Sequence, residues 1–201
     1  MKKVFLLMAP GFELLEVSAP ADVLERCGIL VKKIAFEGQY HDDDFEGGAY
    51  MMVPSSHDIT MMTDSTVENE YDLEDIISEG ADMIILPGGY PGYVNLGSNP
   101  LVEKLVRHFY EDGKYIAAIC GAPSALAKFR IGKGHRMTCH SSVKDEMESK
   151  GYEITGKTVE TDGKIITGRG AGVSIEFAFE CAKALVGEDV IAEVKRKMEI
   201  L

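Results

Sequence analysis

One stretch of the chain reads Tyr115-Ile116-Ala117-Ala118-Ile119-Cys120-Gly121-Ala122-Pro123. Its apolar run predicts a buried strand, and the small residues and proline that follow predict the start of a helix. The turn between them would hold Cys120 at the carboxyl edge of a sheet, where open α/β folds bind ligands. The helix N-terminus would lower the pKa of that thiol and make it a nucleophile. A structural core cysteine is the other interpretation, because most free cysteines are buried.

The rest of the chain repeats this alternation of short apolar runs and helical patterns. Buried strands are predicted at residues 3–8, 30–36, 83–86 and 115–119, and helices near 14–28, 73–79, 99–112, 122–129, 142–150, 173–185 and 188–201. Two further strands are predicted at 152–161 and 164–167, joined by the turn Asp162-Gly163. This pattern is typical of a mainly parallel sheet covered by helices on both faces. We therefore expect a three-layer α/β sandwich.

Composition excludes several classes of protein. The 201 residues include 21 Lys and Arg against 33 Asp and Glu, which gives a net charge of −12 at pH 7. Nucleic acids and anionic membranes are therefore disfavoured as partners, because clustered Lys and Arg bind both. The apolar fraction of 45% is that of a globular protein, and no apolar run approaches the ~20 residues that span a bilayer. Glu13 and Glu16 directly follow the N-terminal apolar run, so that run predicts a strand and not a signal peptide.

The cysteines are widely spaced, and no two of them form a Cys-x-x-Cys pair. The chain has four, at Cys27, Cys120, Cys139 and Cys181. This number is too small for a disulfide scaffold, and the spacing is wrong for a zinc site. We expect a cytoplasmic protein with reduced thiols, in which every cysteine except Cys120 is a packing residue.

A single domain of residues 1–201 is expected, with one irregular acidic insertion at about 38–56. The insertion contains His41-Asp42-Asp43-Asp44 and Gly47-Gly48. Adjacent aspartates can bind calcium, but the spacing of an EF-hand is absent. A solvated hairpin or loop is therefore the favoured interpretation, and no metal site is predicted.

Three other features are candidates for function. The pair Gly88-Gly89 follows a predicted strand, where glycines allow the backbone to approach a bound group closely, but it is not part of a GxGxxG motif. Glu16 is either a functional carboxylate or a first-turn glutamate that complements the helix dipole. His140 is either a functional imidazole or a capping histidine on the surface. The residue pattern alone leaves both alternatives open.

Together these residues resemble the ThiJ/PfpI superfamily, specifically the glyoxalase III-like branch of the Parkinson-disease-associated protein deglycase. The resemblance rests on five segments in the family's order, and it covers the chain except for the insertion. The segments are Ala9–Glu16, Leu86–Gly89, Ala117–Pro123, Thr138–His140 with Lys144-Asp145, and Thr167–Gly170 with Glu176–Ala178.

The resemblance implies a flavodoxin-like fold, usually as a homodimer, that needs no cofactor. It assigns the nucleophile to Cys120, a protonated carboxyl partner to Glu16 and a nearby imidazole to His140. It also implies oxyanion stabilisation by two backbone N–H groups and a pocket between subunits that carries basic groups. The N–H groups are those of Gly89 and Gly121, and the pocket positions are Arg26 and His57.

The function implied is that of a cysteine-dependent, cofactor-free glyoxalase or deglycase. Its substrates would be small 2-oxoaldehydes or the proteins they have glycated. The alternative is an oxidative-stress redox sensor or chaperone-like protein that uses the same cysteine with little turnover. A peptidase is disfavoured because Gly121 stands where the peptidase-like branch has a histidine. A glutaminase is disfavoured because Ala118 and Ala122 flank the cysteine in place of glycines.

Overall fold

A computed structural model describes residues 1–37, 39–40 and 51–200. The strands are β1 (Lys3–Met8), β2 (Leu30–Ala35), β3 (Gln39–Tyr40), β4 (Met51–Pro54), β5 (Thr60–Met62), β6 (Ser65–Thr66), β7 (Met83–Leu86), β8 (Tyr115–Ile119), β9 (Arg136–Met137), β10 (Glu153–Ile154), β11 (Val159–Asp162) and β12 (Ile165–Gly168). The α-helices are α1 (Leu14–Arg26), α2 (Glu70–Glu79), α3 (Gly92–Ser98), α4 (Pro100–Glu111), α5 (Pro123–Lys128), α6 (Ser141–Ser149), α7 (Ser174–Lys183) and α8 (Glu188–Lys197).

The main sheet of the described residues has the strand order β11-β12-β8-β7-β1-β2-β6. Its neighbouring strands are parallel except for the antiparallel pair β11 and β12. The prediction of a mainly parallel α/β sheet is therefore confirmed. Because β1, β7 and β8 are adjacent and parallel, their carboxyl ends open onto the same edge of the sheet.

Alternate side chains of the strands pack against helices on opposite faces of the sheet. On β1, Val4, Leu6 and Met8 pack in the cluster that includes α1, α7 and α8. Phe5 and Leu7 point to the other face and pack in the cluster that includes α2, α4 and α5. All five side chains are fully buried, and each such side chain stabilises the fold by about 1.5–3 kcal/mol.

Asparagine caps fix the starts of two helices on one face. Asn99 Oδ1 accepts a hydrogen bond of 2.8 Å from the backbone N–H of Leu101, so α4 begins at Pro100, within one residue of the predicted range 99–112. Asn69 and Asp72 form a capping box, which starts α2 three residues before its predicted start. Among the described residues, no helix is sufficiently long and apolar to cross a membrane.

The predicted strand at 152–161 is wrong. Only β10 and β11 are extended there, and β10 pairs with β9 in a separate two-stranded sheet. Gly156, with φ of +71°, lies in the intervening segment and interrupts the strand direction. The hairpin turn is formed by residues 163–164, because Asp162 pairs with Ile165 in the ladder.

Helix α3 was not predicted, whereas the antiparallel pair β3 and β4 agrees with the hairpin alternative for the insertion. Helix α3 follows the Gly88-Gly89 turn, and its glycines hid its helical pattern. Strand β4 pairs with β3 and β5 in a small antiparallel sheet. Residues 51–54 of the predicted insertion are therefore a strand, whereas Gly38 and residues 41–50, with the three aspartates, lie outside the described residues. The single-domain organisation stays a prediction.

Candidate active site

Cys120 lies on a sharp turn between β8 and α5. Its φ is +64°, a left-handed conformation that L-residues other than glycine rarely adopt. Two hydrogen bonds fix this turn: the Cys120 N–H donates to Gly168 O at 2.9 Å, and the His140 N–H donates to Cys120 O at 2.8 Å. The surrounding backbone thus compensates the strain of the turn and holds the side chain at the carboxyl edge of the sheet.

Glu16 lies in the first turn of α1 and is fully buried. Its Oε2 accepts a hydrogen bond of 2.7 Å from the Gly88 N–H, whereas Oε1 has no hydrogen-bond partner among the described residues. Burial raises the pKa of Glu16 from 4.5 to about 7, and the Gly88 bond and the Cys120 side chain oppose that rise. The carboxyl is therefore partly protonated at neutral pH, and its role as the partner of Cys120 stays a prediction.

The thiol of Cys120 has a raised pKa, whereas the sequence predicted a lowered one. Burial and the Glu16 charge raise it to about 12, and the N–H groups of Gly89 and Gly121 lower it by less. The prediction is wrong because burial and a neighbouring carboxylate outweigh the helix N-terminus. Since each group shifts the pKa of the other, Glu16 and Cys120 titrate as a pair. Protonation of Glu16 removes one of the two effects that disfavour the thiolate.

Gly88 separates these two side chains, and its role was missed at the sequence level. A Cβ atom at residue 88 would lie 2.6 Å from Cys120 Cβ and 2.8 Å from Glu16 Oε2. Any side chain there would push the carboxyl and the thiol apart. The double glycine was visible in the sequence, but only the packing shows that its first residue must lack a side chain.

Gly89 and Gly121 supply the two backbone N–H groups that act on the sulfur. Gly89 has φ of +85°, and a Cβ there would lie 2.2 Å from Glu13 N. Gly121 lies under the ring of Tyr93, where a Cβ would come within 2.6 Å of the ring carbons Cδ1 and Cε1. The structure thus places both predicted glycines beside Cys120, and their oxyanion role stays a prediction.

His140 caps the N-terminus of α6 and lines the same cleft as Cys120 and Glu16. Its Nδ1 accepts a hydrogen bond of 3.2 Å from the Ser142 N–H and lies 2.8 Å from Ser142 Oγ. Because Nδ1 is the acceptor, the neutral ring carries its proton on Nε2. His140 is therefore a capping residue that also lines the cleft, and its role as a functional imidazole stays a prediction.

A cleft of about 680 Å³ brings most of the predicted site residues together. Its lining comprises Glu13, Glu16, Ser56, His57, Gly89, Tyr90, Tyr93, Cys120, Gly121, His140, Ser142 and Ala171. It includes two carboxylates but neither Lys nor Arg from the described residues of this chain. Tyr90 and Tyr93 have ring centroids 6.3 Å apart, and no sequence signal pointed to either. In the described part of the chain, no group of three His, Cys, Asp or Glu side chains is arranged to hold a metal ion.

Of the two predicted basic positions of the pocket, only His57 lines the cleft. His57 lines the cleft, and its Nδ1 lies 3.6 Å from Glu13 Oε2 and 3.1 Å from Ser56 Oγ. Arg26 is in the last turn of α1, outside the cleft lining, and its Nε pairs with Asp22 Oδ2 at 2.7 Å. Its role in a pocket between subunits stays a prediction.

The other three cysteines are buried, as predicted. Burial raises the pKa of each of them, to about 11 in the case of Cys139. Cys120 alone among the four is only partly buried. The packing therefore separates one accessible thiol from three structural ones.

The chain is similar to known proteins in both sequence and fold. The DJ-1/PfpI family model matches residues 2–184. Protein dj-1beta of Drosophila melanogaster is 34% identical, over 97% of this chain and 95% of that protein. The crystal structure of Drosophila melanogaster DJ-1beta superposes with a TM-score of 0.86 at 33% identity, over 98% of this chain and 97% of that one. A Caenorhabditis elegans protein named glutathione-independent glyoxalase DJR-1.2 is 29% identical, over 94% of this chain and 91% of its own length.

The family match spans most of the chain, and the structural match supports the flavodoxin-like sandwich implied by the sequence. Cys120, Glu16 and the Gly88-Gly89 pair lie inside the matched region. The chain belongs to the DJ-1/PfpI family.

Proposed function

We propose that this chain is a cysteine-dependent, cofactor-free enzyme of the glyoxalase or deglycase type. Its substrates are 2-oxoaldehydes such as methylglyoxal, or the protein adducts that these aldehydes form. The observation that carries the proposal is the buried Glu16 carboxyl beside the partly buried Cys120 thiol, with two backbone N–H groups acting on the sulfur. The relatives named glutathione-independent glyoxalases, at 29% and 27% identity, support the same activity.

In the first step, the sulfur of Cys120 adds to the aldehyde carbon, and the S–H proton passes to ionised Glu16. The carbon–sulfur bond forms as the carbonyl π bond breaks, so negative charge develops on the aldehyde oxygen. The N–H groups of Gly89 and Gly121 stabilise that oxygen, and one such donor contributes roughly 3 kcal/mol in well-studied enzymes. Protonation of this oxygen by Glu16 completes a hemithioacetal, and Glu16 is again a base.

In the second step, a proton moves between the two adjacent carbons. Glu16 removes the proton from the carbon bonded to sulfur, while the Nε2–H of His140 protonates the oxygen on the neighbouring carbon, which gives an enediol. Glu16 then returns its proton to that neighbouring carbon, and the hydroxyl on the carbon bonded to sulfur gives its proton to His140 Nε2 as it becomes a carbonyl. The result is a thioester of a 2-hydroxy acid. Water then cleaves the carbon–sulfur bond, which releases lactate from methylglyoxal and returns the Cys120 thiol. No oxidant or reductant is consumed.

A redox sensor is the second candidate, because Cys120 is the accessible thiol of the four. Peroxide would oxidise it through a sulfenate to a sulfinate, with hydrogen peroxide as the oxidant in each step. The N–H groups of Gly89 and Gly121 and a protonated Glu16 are suited to hold that anion. Intact-mass and peptide analysis after mild peroxide should then find two added oxygens on Cys120 before any on Cys27 or Cys181.

We further propose that the chain acts as a homodimer in the cytoplasm. Exposed apolar side chains on the contacting helices α1 and α7, Leu15 and Ile175, favour contact with a second copy. Such a contact would also decide whether Arg26 reaches a pocket between subunits. Light scattering of the purified chain measures this mass directly.

Turnover distinguishes the enzyme from the sensor. The purified protein should convert methylglyoxal to lactate in the absence of glutathione. Consumption of methylglyoxal at the rate of the buffer alone would rule out the enzyme for this substrate. Selective oxidation of Cys120 would then favour the sensor.

A further inference from the structure

Two tyrosines form an aromatic wall of the cleft that the chemical steps above do not use. Tyr90 and Tyr93 have ring centroids 6.3 Å apart and an interplanar angle of 57°. Both come from the segment between β7 and α4, which follows the Gly88-Gly89 pair. We define this pair as the tyrosine wall.

The two rings differ in how closely they approach the nucleophile. The Tyr93 ring packs directly on Gly121, the residue after Cys120. Tyr90 lies further out and is 74% exposed, although it lines the same cleft. The wall therefore runs from the reacting thiol outwards. An exposed aromatic side chain in a cleft is a typical contact for a flat apolar ligand group, because its ring loses water when the ligand binds.

The size of the cleft also exceeds what a small aldehyde needs. About 680 Å³ lies within the range of about 300–1,000 Å³ found for sites that bind drug-sized molecules. Methylglyoxal would fill only a small part of it. The rest of the cleft has room for a larger substituent on the second carbon of the 2-oxoaldehyde.

Within one chain, the charge of the cleft disfavours an anionic substituent. Glu13 and Glu16 line it, and the described residues of this chain add neither Lys nor Arg to the lining. His57 lies 3.6 Å from Glu13 and so faces a carboxylate already. An anionic substituent would meet the two carboxylates, whereas a neutral aromatic ring would stack on the tyrosine wall.

From this geometry we infer that the site selects 2-oxoaldehydes with a neutral aromatic substituent over methylglyoxal, and that Tyr90 determines this selectivity. The inference rests on the proposed function and specifies its substrate class. Tyr90 acts by binding the substituent, and it does not touch the reacting atoms. Its loss should therefore raise KM for the aromatic substrate and leave kcat nearly unchanged.

The test compares kcat and KM for phenylglyoxal and methylglyoxal in the intact chain and in the variants Tyr90→Ala and Tyr90→Phe. Tyr90→Ala should lower kcat/KM for phenylglyoxal roughly tenfold through KM, with less than about a twofold change for methylglyoxal. Tyr90→Phe keeps the ring and should behave like the intact chain. Tyr71→Ala is the matched control, because Tyr71 is 80% exposed on α2 and does not line the cleft.

Two results would overturn the inference and leave the proposed function standing. One is methylglyoxal turnover with no preference for phenylglyoxal in the intact chain. The other is an equal loss for both substrates in Tyr90→Ala, which would indicate a general structural role. Absence of turnover for both substrates in the intact chain would instead contradict the proposed function itself.

Discussion

Glu16 and Cys120 face each other across the space that a side chain on residue 88 would fill. The carboxyl is fully buried and the thiol partly buried, so removal of protons from the pair is costly. The first proton leaves near pH 7, and the second leaves only in strongly alkaline solution. Between these limits the pair holds one proton, either on oxygen or on sulfur. That one-proton state contains the base or the nucleophile that the proposed addition requires.

The rate of methylglyoxal turnover should therefore follow the first ionisation of this pair. We expect kcat/KM to rise about tenfold per pH unit below pH 7 and to level off above it, because only the one-proton state reacts. Glu16→Gln should abolish this rise of kcat/KM with pH and lower kcat/KM by about 100- to 10,000-fold. A pH–rate profile of both proteins checks this. An unchanged profile in Glu16→Gln would show that another group controls the reaction.

Stability should depend on pH through the same carboxyl. The pKa of Glu16 in the folded chain, about 7, lies above the ordinary value of 4.5. Its contribution to the free energy of unfolding is therefore full below pH 4.5 and is lost as the pH rises through 7. The free energy of unfolding of the intact chain should fall by about 3 kcal/mol relative to Glu16→Gln across this range. Urea unfolding of the two proteins between pH 4.5 and pH 8 measures the difference.

Other carboxyls change the stability of the fold with pH in the opposite direction to Glu16. Lysine partners lower the pKa of Glu79 and Asp82, so their contribution is lost as the pH falls. Both groups are present in the intact chain and in Glu16→Gln, and their effects cancel in the comparison. A difference between the two proteins that stays constant with pH would mean that Glu16 is not perturbed by burial.

A side chain at residue 88 should damage the site more than the fold. Gly88→Ala places a Cβ 2.6 Å from Cys120 Cβ and 2.8 Å from Glu16 Oε2, so we expect kcat/KM to fall more than about tenfold, with a loss of stability of about 1–3 kcal/mol. Gly187→Ala is the control, because no atom lies within 4 Å of a Cβ at that position. Equal activity of the two variants would contradict the packing of the pair around Gly88.

His140 should contribute to turnover through its Nε2–H. His140→Gln should lower kcat by about 10- to 100-fold, because the donor to the substrate oxygen is lost. His108→Gln is the matched control, since His108 lies on α4 outside the cleft and pairs with Asp112. Steady-state kinetics of both variants provide the comparison. A loss of similar size in His108→Gln would indicate a general effect of removing an imidazole.

Local patterns were sufficient to predict much of the fold. The bounds of β1, β7 and β8 match the apolar runs predicted as strands at 3–8, 83–86 and 115–119, and Asn99-Pro100 determines the start of α4. The strand predicted at 152–161 failed because the sequence pattern does not show that the backbone changes direction at Gly156. Helix α3 was missed because its glycines weaken the helical signal.

The site was predictable only in part, since its electrostatics arise from contacts between distant segments. The position of Cys120 follows from the strand-to-helix pattern around it. Its raised thiol pKa does not, because that depends on burial and on Glu16, which is far away in sequence. The space at Gly88 and the tyrosine wall likewise depend on packing. Arg26, placed by resemblance alone, lies outside the cleft of its own chain.

The central claim is that Cys120 carries out glutathione-independent turnover of a 2-oxoaldehyde. The most direct measurement is lactate formation from methylglyoxal without glutathione by the intact chain, Cys120→Ser and Cys27→Ala. We predict that Cys120→Ser falls to the rate of the buffer, whereas Cys27→Ala, which removes a buried thiol outside the cleft, keeps most of the activity. Lactate formation by Cys120→Ser at the rate of the intact chain would contradict the account.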